Sequence, residues 1–209
     1  MAMVLAGCSA LFAVHESLAA APVAIVEEAP NHEAGYAVYD LLREGQVIDL
    51  PAGASLTIGY FESCTREIIR GGHVVIGRLQ SDVTGRPVKR ETLRCPQPAK
   101  IEPAAAVIAP APKLNFRGGP KQMPSLVIYY TSPVIMLSNP SEVIIERVDR
   151  EETALVFRVD AVLDLAKQQV YLNAGGIYRI SAGTNTMLFQ VSPDAMQGGG
   201  PLLARLLRP

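Results

Sequence analysis

Pro51-Ala52-Gly53-Ala54-Ser55-Leu56-Thr57-Ile58-Gly59-Tyr60 is the stretch whose reading decides the fold. Its second half alternates: Leu56, Ile58 and Tyr60 stand two apart, and a period of two puts them on one face of a strand. Pro51-Ala52-Gly53 reads as the turn before it. The same pattern extends both ways. Upstream, Tyr36, Val38 and Leu41 lead into the turn Arg43-Glu44-Gly45, and Val47, Ile48 and Leu50 follow. Downstream come Glu67-Ile68-Ile69, the turn Gly71-Gly72 and His73-Val74-Val75-Ile76-Gly77. Short apolar runs between turns spaced roughly eight to twelve residues apart predict a small barrel or sandwich over residues 35–95.

Cys64 and Cys95 belong to this domain. In an oxidising compartment two cysteines at that separation read as a disulfide, and closing such a loop removes roughly 3 to 4 kcal/mol of unfolded-state freedom. It would staple the polar segment Gln80–Arg94, which holds Gly85 and Pro87. The competing reading makes Cys64 a nucleophile with His73 as its base, the arrangement of an envelope hydrolase. Of the other histidines, His15 lies in the N-terminal apolar segment and His32 in the stretch after it. No C-x-x-C spacing offers a preorganised metal chelate.

Gly45-Gln46-Val47, Leu50-Pro51-Ala52-Gly53-Ala54-Ser55-Leu56-Thr57 and Val74-Val75-Ile76-Gly77 together resemble the periplasmic β-domain of FecR-like proteins. The resemblance covers about a third of the chain. It implies short strands stacked into a compact sheet structure, and a sensory regulator of the cell envelope as one possible role. Phe61-Glu62-Ser63-Cys64 stands where that family has an Asp-Gly-Ser type of turn, and the cytoplasmic and membrane helices of such regulators are missing from the sequence.

Residues 1–21 are rich in Ala, Leu and Val, end in Ala19-Ala20-Ala21 before Pro22, and precede the first Lys or Arg, Arg43. This reads as a secretory segment that lacks its basic start, which points to a longer signal peptide upstream. Leu5-Ala6-Gly7-Cys8 also fits a lipobox, making Cys8 a candidate for lipidation and membrane association. His15 and Glu16 interrupt the run that a membrane anchor of roughly 20 apolar residues would need. Residues 22–34 read as a tether.

Seven prolines between Pro96 and Pro124 mark 96–124 as a Pro/Ala-rich linker, a semi-rigid spacer rather than a proline-docking strip. Beyond it, Leu126–Tyr130, Val134–Leu137, Val143–Ile145 and Ala154–Val159 are dense strand candidates. The stretch 161–172 fits two strands better than a helix. Leu172-Asn173-Ala174-Gly175-Gly176-Ile177-Tyr178-Arg179-Ile180, followed by Thr186–Val191 across Ala182-Gly183-Thr184-Asn185, is similar to the penultimate hairpin of immunoglobulin-like sandwiches. That implies an immunoglobulin-like β-sandwich over 125–196. Tyr129, Tyr130, Phe157 and Tyr178 read as packing residues before a carbohydrate platform, and Asp149, Glu151 and Glu152 as a solvated turn before a calcium site.

Residues 197–209 form a Gly-rich break and a Leu/Arg tail. On a helix Leu202, Leu203, Leu206 and Leu207 would share one face and could dock on a partner or a membrane. Eight residues hold no helix alone, so folding back or disorder competes with docking.

The expectation is thus an all-β exported protein of the periplasm or outer surface of a bacterial envelope. It has a small FecR-like or barrel-like domain, a linker and an immunoglobulin-like sandwich, and works without cofactor or metal by binding or scaffolding envelope proteins. A net charge of -1 with no basic stripe argues against a nucleic-acid partner. Neither nucleotide-loop nor zincin nor nucleophile-elbow motifs occur.

Overall fold

The computed structural model describes residues 20–29, 35–98 and 124–209. Cys8 with its apolar segment, residues 30–34 of the expected tether and residues 99–123 of the expected linker lie outside the described residues. Every regular element among those described is a β-strand apart from one 3-10 turn, so the chain is all-β as its alternation predicts.

The first sheet is built on two long antiparallel strands, β3 (Val47–Tyr60) and β4 (Thr65–Ile76). The signals at Pro51-Ala52-Gly53 and Gly71-Gly72, expected to end strands, instead face each other across the ladder. The register jumps there, between the pair Leu50 with Gly72 and the pair Ser55 with Arg70. Gly53, Gly71 and Gly72 take φ of 91°, 65° and 105°, which a side chain would oppose. The hairpin therefore bends without breaking and curls the sheet into a half-barrel.

β1 (Pro22–Glu28) pairs with β3, and β2 (Leu41–Arg43) flanks it. On the opposite side β5 (Ser81–Thr84) and β6 (Val88–Thr92) each take half of β4. The tether reading of 22–34 is corrected here, because Pro22–Glu28 is an inner strand with Ala24, Ile25 and Val26 fully buried. Both of its faces are covered, so its sequence shows no alternation. Ala24, Val26, Ile48, Leu56, Ile58 and Tyr60 belong to the core inside the curl.

The second sheet runs β11 (Leu155–Val159), β10 (Ser141–Arg147), β13 (Ile177–Ala182), β14 (Asn185–Met196), β8 (Leu126–Tyr130) and β7 (Gln97–Pro98). The expected hairpin is present as β13 and β14. A third, three-stranded sheet orders β12 (Val162–Asp164), β9 (Val134–Met136) and β15 (Leu206–Leu207). The two-strand reading of 161–172 is corrected to one strand and a turn. Asp164 O accepts from Gln168 N at 3.2 Å, and Asp164 Oδ1 caps Ala166 N at 3.0 Å.

The small sheet is a middle layer. Ile135, Leu163 and Leu207 join the core of the second sheet, with Val143, Ile180 and Phe189. Val134, Met136, Val162 and Leu206 face the other way, toward Ile25 and Cys95 of the first unit. The two β units thus share an apolar seam. The spacer reading of 96–124 is corrected at its first residues, since Gln97–Pro98 is a strand of the second sheet. Pro98 pairs with Leu126, so the chain leaves and re-enters the sheet at neighbouring positions.

Candidate functional site

Gly198-Gly199-Gly200-Pro201 carries the chain into the seam, closely packed at Gly199 and Gly200. A Cβ on Gly200 would overlap the Tyr130 ring, and one on Gly199 would lie 3.0 Å from the Ala166 Cβ. Leu203–Arg205 then makes a single 3-10 turn, and β15 adds in parallel to β9. The tail folds back onto its own chain, the alternative weighed against partner docking, and it does so as a 3-10 turn and a strand rather than on one helical face. Leu202, Leu203 and Leu206 fill the seam and Leu207 enters the sandwich core. All four are buried, so they offer no surface to a partner.

Arg205 clasps the tail in place. Its Nη1 and Nη2 donate to Asp164 Oδ1 and Oδ2 at 2.6 and 2.9 Å, Nη1 also to Ser132 O at 2.9 Å, and Nε to Gly200 O at 3.0 Å. Both partners of this bidentate pair are buried. Burial alone would raise the Asp164 carboxyl, but the hydrogen bonds and charge of Arg205, with two backbone amides, hold it below the usual carboxylate range. From the first unit, Glu27 Oε1 accepts Leu203 N at 2.7 Å, while Arg66 Nε donates to Glu27 Oε2 at 2.9 Å. Gly59 leaves the space for this meeting: its Cβ would stand 2.9 Å from Glu27 Oε1 and 3.0 Å from the Leu203 Cβ. A polar cleft of about 440 Å³ remains beside the clasp, bordered by Arg66, Tyr39 and Lys167. Of its cations, Arg66 is paired with Glu27 and Glu28, and Lys167 Nζ lies 5.0 Å from the centre of the Tyr39 ring.

The Cys64–Cys95 disulfide lies at the same seam, with a Cα separation of 5.9 Å. It joins the tip of the β3–β4 hairpin to the segment entering the second sheet. The residues it was expected to staple are ordered as β5 and β6. The Cys64–His73 pair that the hydrolase reading needs is not brought together: Cys64 is bonded to Cys95, and His73 lies near the other end of β4, its Nδ1 2.6 Å from Asp49 Oδ1. A cystine sulfur holds no thiolate to activate.

Other charges serve the fold. Fully buried Glu67 accepts from Arg90 Nε at 2.6 Å and Ser81 N at 3.1 Å, next to the Tyr60–Ser81 hydroxyl pair at 2.7 Å. The acidic turn at 149–152 is exposed, as the solvated-turn reading expects, and it also anchors Arg147, which reaches Asp149 at 3.0 Å and Glu152 at 2.5 Å. That contact with Arg147, opposed by burial, lowers the Asp149 carboxyl. Tyr178 is core and stacks on Phe189, as the packing reading expects. Among the described residues no group of three or more His, Cys, Asp or Glu could hold a metal ion, and no helix is long and apolar enough to cross a membrane.

Most sheet edges are short or broken, including β12 with three residues and β15 with two. β2 has three residues, β7 has two including Pro98, and the β5–β6 edge is interrupted at Gly85-Arg86-Pro87. β11 differs: Leu155–Val159 pairs with β10 without a bulge and contains neither Pro, Gly nor Lys. No backbone group of this strand has a hydrogen-bond partner beyond β10 among the described residues. Val156 is 56% exposed on its outer face.

Reasoning from sequence missed the clasp and the edge. Asp164 between Leu163 and Leu165, and Arg205 inside a leucine run, are the signals available, since a charge in an apolar stretch requires a buried partner. No family model, curated protein or solved structure matches this chain.

Proposed function

We propose that this is a non-enzymatic binding or scaffolding protein, exported to the periplasm or outer surface of a bacterial envelope, that acts through protein–protein contacts. The observation that carries this reading is the disulfide at the seam. It fixes two β units as one frame and suits an oxidising compartment. The clasp, the Glu67–Arg90 pair and the Arg147 cluster support it, because these ionic groups are engaged in holding the frame. What supports reading the second unit as immunoglobulin-like is its two-sheet core and the β13–β14 hairpin. The FecR-like reading of the first unit rests on turn spacing, and its long bent hairpin departs from a stack of short strands. Cys8 lipidation belongs to the same proposal.

Cross-linking in intact cells, followed by purification and mass spectrometry, tests it. The expected result is an oxidised Cys64–Cys95 pair, a processed N-terminus and cross-links to a defined envelope protein. A reduced pair in a cytoplasmic fraction, or a chain with no cross-linked neighbour, overturns the reading.

A further inference from the structure

We infer that the free edge of β11 is a strand-addition site for an extended segment of a partner protein, running antiparallel to β11. This rests on the scaffolding reading and gives it a surface. An unpaired, unblunted edge is a template for another strand, and main-chain pairing supplies affinity while alternate side chains supply selectivity. Leu155, Phe157 and Val159 point into or against the core, so their opposite numbers on an added strand would extend that apolar layer.

The outer face sets the charge pattern. Val156 stands opposite Ile144 and exposed Arg158 opposite Glu142 on β10. Arg158 makes no ion pair among the described residues, and Asp160 follows at the strand's end. Past that end a groove of about 680 Å³ opens between the two units, with Val38, Leu41, Met136 and Val162 on its walls and Asp40 and Asp160 at its rim. An antiparallel occupant enters from the groove. Its outward residues then meet Asp160, Arg158 and Val156 in that order. The complementary segment reads basic, apolar, acidic, apolar, β-branched from its N-terminus, since opposite charges and β-branched pairs favour each other across a ladder.

A capped synthetic heptapeptide of that pattern, titrated onto the full oxidised chain and followed by backbone amide shifts, is the test. Binding is expected to perturb residues 154–160 and the groove. Arg158→Glu should weaken it about tenfold, as an attractive cross-strand pair becomes repulsive, and a peptide with its acidic residue changed to a basic one should bind that variant as well as the original pair. Val156→Lys, on an exposed position, should weaken both. Binding that ignores both substitutions, shifts confined elsewhere, or a two-fold dimer closing the edge in sedimentation overturns the inference. If cross-linked envelope neighbours persist while the peptide fails, the edge assignment falls and the scaffolding reading stands; if no neighbours exist, the broader reading falls.

Discussion

Replacing Arg205 with alanine leaves Asp164 buried without its bidentate partner, and breaking a buried pair on one side costs about 3 to 5 kcal/mol. Urea unfolding should show that loss, while Arg208→Ala, whose guanidinium lies 4.3 Å over the Phe61 ring, should cost far less. The pH dependence has a definite sign. Asp164 has a depressed pKa in the fold, so its stabilisation is complete above the unfolded value of about 4 and is lost as pH falls through the folded value. Acid unfolding should begin at higher pH in the Arg205 variant. At the alkaline end, burial raises the Tyr60 and Tyr178 hydroxyls. Absorbance titration should find these two tyrosines ionising last. Their folded pKa values exceed the unfolded value of about 10, so alkalinity beyond that point favours unfolding.

At the scale of elements, the disulfide joins residues 31 apart in sequence, and the loop estimate assigns it roughly 3 to 4 kcal/mol. Cys64→Ser with Cys95→Ser should lower the denaturant midpoint correspondingly. Strand content was legible wherever apolar residues alternate with polar or small ones, whether the second face is wet, as around Ile48 and Leu50, or covered, as at Leu56-Thr57-Ile58-Gly59-Tyr60. It was illegible where both faces are apolar: Val23-Ala24-Ile25-Val26 has no period to read. Glycine was ambiguous for a different reason. Positive φ serves a tight turn and a strand bend alike, and only the partner strand decides between them, as Gly53 and Gly71 illustrate. The leucine spacing of the tail fits a helical face, yet Leu206 and Leu207 go to opposite sides because they lie in a strand. The clasp and the Cys64–His73 separation depend on long-range pairing, which one-dimensional spacing does not contain.

For the whole molecule, the seam makes cooperativity the measurable quantity. Calorimetry should show one unfolding transition, because Ile25, Val134 and Leu203 belong to one apolar cluster drawn from both units and the tail. Removing residues 201–209 should bare that cluster, split the transition in two and bind a hydrophobic dye; a single unchanged transition would contradict the shared core. The bond from Leu203 N to Glu27 Oε1 also has a temporal meaning. Its partners lie 176 residues apart, and contacts of such separation slow folding. During synthesis from the N-terminus, Glu27 must wait for Leu203. A chain cut short of Leu203 leaves Ile25 and Val134 without that cover, and limited proteolysis should cleave it faster than the chain that includes the tail.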